Sequence, residues 1–129
     1  MFASLLQNHS LFLLLILTAI FLIDPPRAIA CEISVSKTGS IRSVQKAIDS
    51  IPENNKERCV IRVSEGTYVE QVRVPSSKPY ISLIGVSADT TKISFSLSNK
   101  EAGSTSAAYA VYIGGHDFRA QKITFENSF

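Results

Sequence analysis

The side chains of residues 31–129 first in line for acid–base, nucleophilic or metal chemistry near neutral pH are ten carboxylates, one histidine and two cysteines (the whole chain has eleven acids and two histidines, including Asp24 and His9). Paired-carboxylate catalysis needs two acids close together in contrasting environments, and no two of these acids fall together within an apolar strand. His116, after Gly114-Gly115, reads as a solvated loop side chain. Cys31 and Cys59 form no CxxC, and two cysteines with one histidine make a poor zinc site, so no metal is expected. No GxSxG, HExxH, phosphate-binding glycine loop or dinucleotide fingerprint occurs, and no cofactor is expected. The most specific local feature is Gly66-Thr67-Tyr68-Val69-Glu70. Thr67 and Val69 should point one way, Tyr68 and Glu70 the other. Tyr68 is expected to bury its ring and find a partner for its hydroxyl. Glu70, beside a core strand, should want a cation or backbone donors. The segment therefore reads as a structural turn between strands ahead of a catalytic motif.

The elements that must position these residues lie in 31–129, because residues 1–30 read as a secretory signal peptide. Leu11 to Ile23 is an aliphatic run shorter than the ~20 residues that span a bilayer. Ala28-Ile29-Ala30 presents small residues for cleavage after Ala30. Met1 to Ser10 carries no Lys or Arg, which leaves an uncleaved anchor as the alternative. After cleavage no membrane association is expected. The only Asn-x-Ser/Thr triplet, Asn8-His9-Ser10, lies in this leader, so no N-glycan is expected. An oxidising compartment permits a Cys31–Cys59 disulfide; two free, partly buried thiols are the other reading. The net charge of +2 is spread along the chain, which argues against a nucleic-acid partner. It allows weak attraction to an acidic polymer.

Ser40 to Ile51 is the one amphipathic helix: Ile41, Val44, Ala47, Ile48 and Ile51 share a face. Gly39 or Ser40 is the expected cap, and Pro52 ends the helix. From Cys59 onward about six short strands are predicted: 60–63, 71–74, 80–84, 92–97, 110–113 and 122–125. Residues 98–107 read as a small polar loop. An antiparallel sandwich and a parallel β-helix both fit this pattern. The 30-residue separations of Leu83 from Ile113 and Ile93 from Ile123 hint at a coil repeat. A lone helix before the first strand suits an N-terminal cap.

Together these pieces resemble plant pectin methylesterases (pectinesterases). Ile33-Ser34-Val35 with Gly39-Ser40-Ile41 looks like that family's first strand and turn, and Val44 to Pro52 like its entry helix. Gly66, Tyr68 and Glu70 match its Gly-x-Tyr-x-Glu signature, and Ile81 to Gly85 resembles the next coil. Asp117-Phe118 and Ile123-Thr124-Phe125-Glu126-Asn127 look like the block before the catalytic coils. The resemblance implies an all-β, right-handed parallel β-helix of which 31–129 forms the first coils, with the helix as cap. It implies a secreted, cell-wall protein that hydrolyses methyl esters of polygalacturonate without metal or cofactor. Pectin would be its substrate and a proteinaceous inhibitor a further partner. The family's nucleophilic and acid–base aspartates, its oxyanion glutamines and its arginine lie in motifs after the position of Asn127. The catalytic residues are therefore expected downstream of Phe129, and none carries over to this sequence. One substrate contact aligns, at Thr105, although the following Ala108-Tyr109-Ala110 departs from the family's Ser-Ala-Thr.

Three expectations follow. The chain is the N-terminal part of such an enzyme and inactive alone; or it is a secreted, non-enzymatic module that binds pectin or the wall; or it is a pectate-lyase relative. The last would carry calcium-binding acids on a strand, and none is seen. Whether the chain is itself an enzyme stays open at this point. A stack of about three coils without a polar cap is expected to be poorly soluble.

Overall fold

The computed structural model describes residues 31–128, the side chains of Asn99 and Thr105 excepted. The apolar run 11–23 and the expected cleavage after Ala30 lie outside these residues. So does Phe129, the position beyond which the catalytic residues are expected. The elements run β1 (Cys31–Val35), α1 (Val44–Ser50), β2 (Cys59–Val63), β3 (Gly66–Val69), β4 (Val72–Val74), β5 (Ile81–Ile84) and β6 (Thr91–Phe95). They continue through α2 (Asn99–Ala102), a 3-10 turn (Thr105–Ala107), β7 (Val111–Ile113), β8 (Arg119–Gln121) and β9 (Thr124–Asn127). Every ladder is parallel. The strands form three sheets, β1-β2-β5-β8, β3-β6-β9 and β4-β7. The chain visits each sheet once and returns one coil later, which makes a right-handed parallel β-helix. The antiparallel sandwich is thereby excluded.

Alternation along each short strand decides what enters the coil interior. Val72 and Val74 are buried while Arg73 is exposed, and Tyr68 is buried between exposed Thr67 and Val69. Ile61, Tyr68, Ile81, Leu83 and Ile93 form the centre of the core, each 0–1% exposed. Burying each such aliphatic side chain stabilises the fold by about 1.5–3 kcal/mol.

The expected 30-residue repeat is not the stacking register. Leu83 lies on Ala120 and Ile93 on Phe125, whereas Val72 lies on Val111. Leu83 and Ile113 belong to different sheets. The cause is unequal turn length. A short corner separates β3 from β4, whereas residues 96–110 form a long excursion between β6 and β7. That excursion is not a featureless loop: Ser98 and Glu101 form a capping box on the short helix α2. The sequence pattern does not predict β3 and β8, which are three to four residues long with little or no apolar alternation.

Helix α1 is shorter than its apolar pattern. It starts after Ser43, whose side chain accepts from the Lys46 N–H, so neither Gly39 nor Ser40 is the cap. Ile41 still packs on the core from the preceding turn. Val44, Ala47, Ile48 and Ile51 close the N-terminal end of the coil stack.

Candidate functional site

Glu70 shows how the signature segment works. Its carboxylate accepts from Ser43 Oγ at 2.7 Å, from the Val44 N–H at 2.9 Å and from the Gln45 N–H at 3.0 Å. These are donors at the first turn of α1, left without partners inside the helix and favourably oriented for an anion. All of its short contacts are structural, so Glu70 is not free to attack a substrate. Tyr68 packs its ring in the core, and its hydroxyl meets Ser64 Oγ at 2.9 Å and donates to the Ser64 carbonyl at 3.1 Å. Lys37 Nζ lies 4.4 Å from the centre of that ring. Gly66 has φ +137°, which an L side chain rarely adopts. Gly66, Tyr68 and Glu70 therefore build a corner and a helix cap.

The other end of α1 is held by Lys78. This lysine is 8% exposed and donates to the carbonyls of Ile48 at 3.0 Å and Asp49 at 2.9 Å. A cation at a helix C-terminus complements the helix dipole. Between the two ends, Gln45 acts as a surrogate strand. Its amide nitrogen donates to the Arg73 carbonyl at 3.1 Å and its oxygen accepts from the Arg73 N–H at 2.6 Å. This satisfies the β4 edge that has no strand beneath it. Cys31 and Cys59 are opposed in the β1–β2 ladder with Cα atoms 4.5 Å apart, and the structure joins them as a disulfide.

Two shallow grooves mark the surface. One, of about 270 Å³, runs along residues 34–36, 62–64 and 84–86 and is mostly apolar. The other, of about 310 Å³, is lined by Arg73, Ser106, Ala107, Tyr109 and Tyr112. Arg73 and Tyr112 are register partners across β4 and β7 and both face outward. The Arg73 guanidinium lies 5.4 Å from the Tyr112 ring centre, within cation–π range. The Tyr109 and Tyr112 rings are 5.6 Å apart and tilted by 46°. The groove wall is tied down by Gln71, whose amide donates to the carbonyls of Ala107 at 3.1 Å and Tyr109 at 2.9 Å. A cation beside two aromatic faces suits an acidic, ring-shaped ligand, and this is the candidate site.

Sequence reasoning missed this groove. The outward positions of Arg73 in Val-Arg-Val and Tyr112 in Val-Tyr-Ile are readable from alternation, but their side-by-side placement is not. Thr105 opens the 3-10 turn just before the groove-lining Ser106 and Ala107. His116 Nδ1 lies 2.6 Å from Asp117 Oδ2, both exposed, with the His116 ring 5.0 Å from that of Tyr80. No hydroxyl or thiol nucleophile hydrogen-bonds this pair among the described residues. Glu101 has its carboxyl held below the ordinary glutamate range by the Ser98 N–H, and further by the Ser98 hydroxyl. No group of three or more His, Cys, Asp or Glu side chains that could hold a metal occurs among the described residues.

The fold and its capped N-terminal end define a parallel β-helix protein. The family model for Pectinesterase matches residues 31–129. The chain belongs to the pectinesterase family. It is 39% identical to Pectinesterase 31 of Arabidopsis thaliana over 107 residues, covering 75% of this chain and 34% of that protein. Among solved structures it is similar to the pectin methylesterase from carrot, with 30% identity and a TM-score of 0.71, over 81% of this chain and 33% of the other. It also resembles a pectin methylesterase in complex with hexasaccharide VII, at 25% identity and a TM-score of 0.67, over 79% of this chain and 32% of the other. The chain thus spans about a third of the length of these relatives.

Proposed function

We propose that this chain forms the N-terminal coils of a pectin methylesterase, a protein that hydrolyses methyl esters of polygalacturonate in the cell wall. The observation that carries the reading is the family match across 31–129 together with the stacked parallel coils. The role of these residues is scaffold and substrate surface. Glu70 and Glu101 are committed to helix caps, and Glu32 pairs with Arg62 at 2.5 Å. In the family, the attacking and proton-transferring aspartates belong to coils past the position of Asn127, which puts them downstream of Phe129. Residues 31–129 by themselves therefore lack the covalent machinery that ester hydrolysis needs.

The tyrosine–arginine groove is the pectin-binding surface of these coils, and Thr105 borders it. A relative solved with a hexasaccharide supports an extended sugar-binding face on this fold. Secretion through cleavage after Ala30, and a proteinaceous inhibitor as partner, complete the proposal. N-terminal sequencing of secreted protein checks the first, with Cys31 as the expected first residue.

The deciding experiment is methanol release from highly methylated pectin by the purified chain. Retention on pectin without methanol is the expected result. Methanol above a blank would place the catalytic groups among the acids of 31–129 and overturn this division of labour. A purely binding module is the second reading, favoured by the same groove; it predicts that no longer form of the protein releases methanol.

A further inference from the structure

Arg73 combines features that a merely solvated arginine need not share. Its backbone is fixed twice, by the β4–β7 ladder and by the pair of hydrogen bonds it exchanges with the Gln45 side-chain amide. Its guanidinium rests on Tyr112 and has no acidic partner among the described residues. The adjoining Tyr109 is held by its own carbonyl and by that of Ala107 through Gln71. The result is a preformed aromatic floor with an unpaired, planar five-donor cation at its edge. The groove of about 310 Å³ beside the two tyrosines has room for a sugar ring against either face.

We infer that Arg73 is a specificity-determining residue that binds the free carboxylate of a uronate unit, so that this groove prefers de-esterified over methyl-esterified galacturonate. The chemistry separates the two ligands. A carboxylate offers two anionic acceptors to the guanidinium fork, whereas a methyl ester offers a neutral carbonyl and a methyl group. Held here, an already de-esterified unit would keep one end of the pectin chain on the protein. The inference rests on the pectin-binding reading above and adds which form of the sugar is read, and by which residue.

The test compares dissociation constants for hexagalacturonate and its fully methyl-esterified counterpart, measured by biolayer interferometry with protein expressed from the full chain. The parent is expected to favour the free acid by about fivefold at low salt, as suits an exposed ion pair. The preference should shrink as salt rises. Arg73→Gln should bring the ratio to about one, and Arg73→Lys should keep part of it. Lys56→Gln removes the same charge from an exposed loop position and should leave the ratio as in the parent. Thermal melting establishes that each variant is folded. Equal affinities in the parent, an unchanged ratio in Arg73→Gln, or an equal loss in Lys56→Gln would each overturn the inference while leaving the proposed function intact. Failure of the parent to bind either ligand would overturn both.

Discussion

Glu70 lies 25–27 residues from the three groups it binds, yet it serves as the N-cap partner of α1. Its removal leaves two backbone donors and a hydroxyl without acceptors at the end of the stack. Glu70→Ala is expected to destabilise the fold by about 3 kcal/mol in urea unfolding; a change below ~0.5 kcal/mol would show that this carboxylate does not hold the helix end. Gly85 is constrained differently. A Cβ there would overlap the Lys122 carbonyl oxygen of the next coil. Gly85→Ala should cost about 2–3 kcal/mol, read as a lowered melting temperature. Glu101 carries a pH dependence. Its folded-state pKa is lowered, so its contribution to the α2 cap is present above the ordinary glutamate value of 4.5 and is lost as pH falls through the lowered value. An NMR titration should show the Ser98 and Glu101 amide shifts moving with a midpoint below 4.5.

At the scale of elements, α1 is a lid gripped from both ends by side chains of the first coil. Glu70 holds its N-terminus, Lys78 its C-terminus and Gln45 the neighbouring strand edge. A seven-residue helix has little stability of its own, so these contacts and its buried face hold it in place. Lys78→Met keeps the apolar stem and removes the two bonds to Ile48 and Asp49; the expected loss is about 1–2 kcal/mol, with faster amide exchange in α1 than in β2. The disulfide acts on the adjoining pair β1–β2. Replacing Cys31 and Cys59 together by serine should lower stability by about 3–4 kcal/mol on the chain-entropy estimate for a 28-residue separation. Equal stability with and without reductant would show that the bridge does not form.

For the whole molecule, the two ends of the stack differ. The first coil is covered by α1, whereas β7, β8 and β9 each have a single strand neighbour among the described residues. Tyr112 and Ile113 are each 44% exposed and Phe125 38% exposed near that end. Parallel strand edges beside apolar side chains favour association. A polypeptide limited to residues 31–129 is therefore expected to self-associate at micromolar concentration, checked by analytical ultracentrifugation. A cooperatively melting monomer would count against this. The family assignment belongs to this scale also, since the family match and the coil stack concern the chain as a unit and not any one motif.

What the sequence determined by itself was local. Alternation in Val-Arg-Val and around Tyr68 decided which side chains face the core, and the apolar face of α1 was legible apart from its first turn. The need of Glu70 for donors followed from its position beside a core strand, and the ordered motifs pointed to the family. The tertiary structure alone decided the stacking. Ile61 meets Leu83 after 22 residues, but Val72 meets Val111 after 39. Loop closure costs rise only slowly with length, so turns of very different size can join equivalent coils and no fixed period survives in the sequence. For that reason the Gln45 clamp on Arg73, the Lys78 cap and the Arg73–Tyr112–Tyr109 groove have no local signature. Each joins residues brought together only when one coil settles on another.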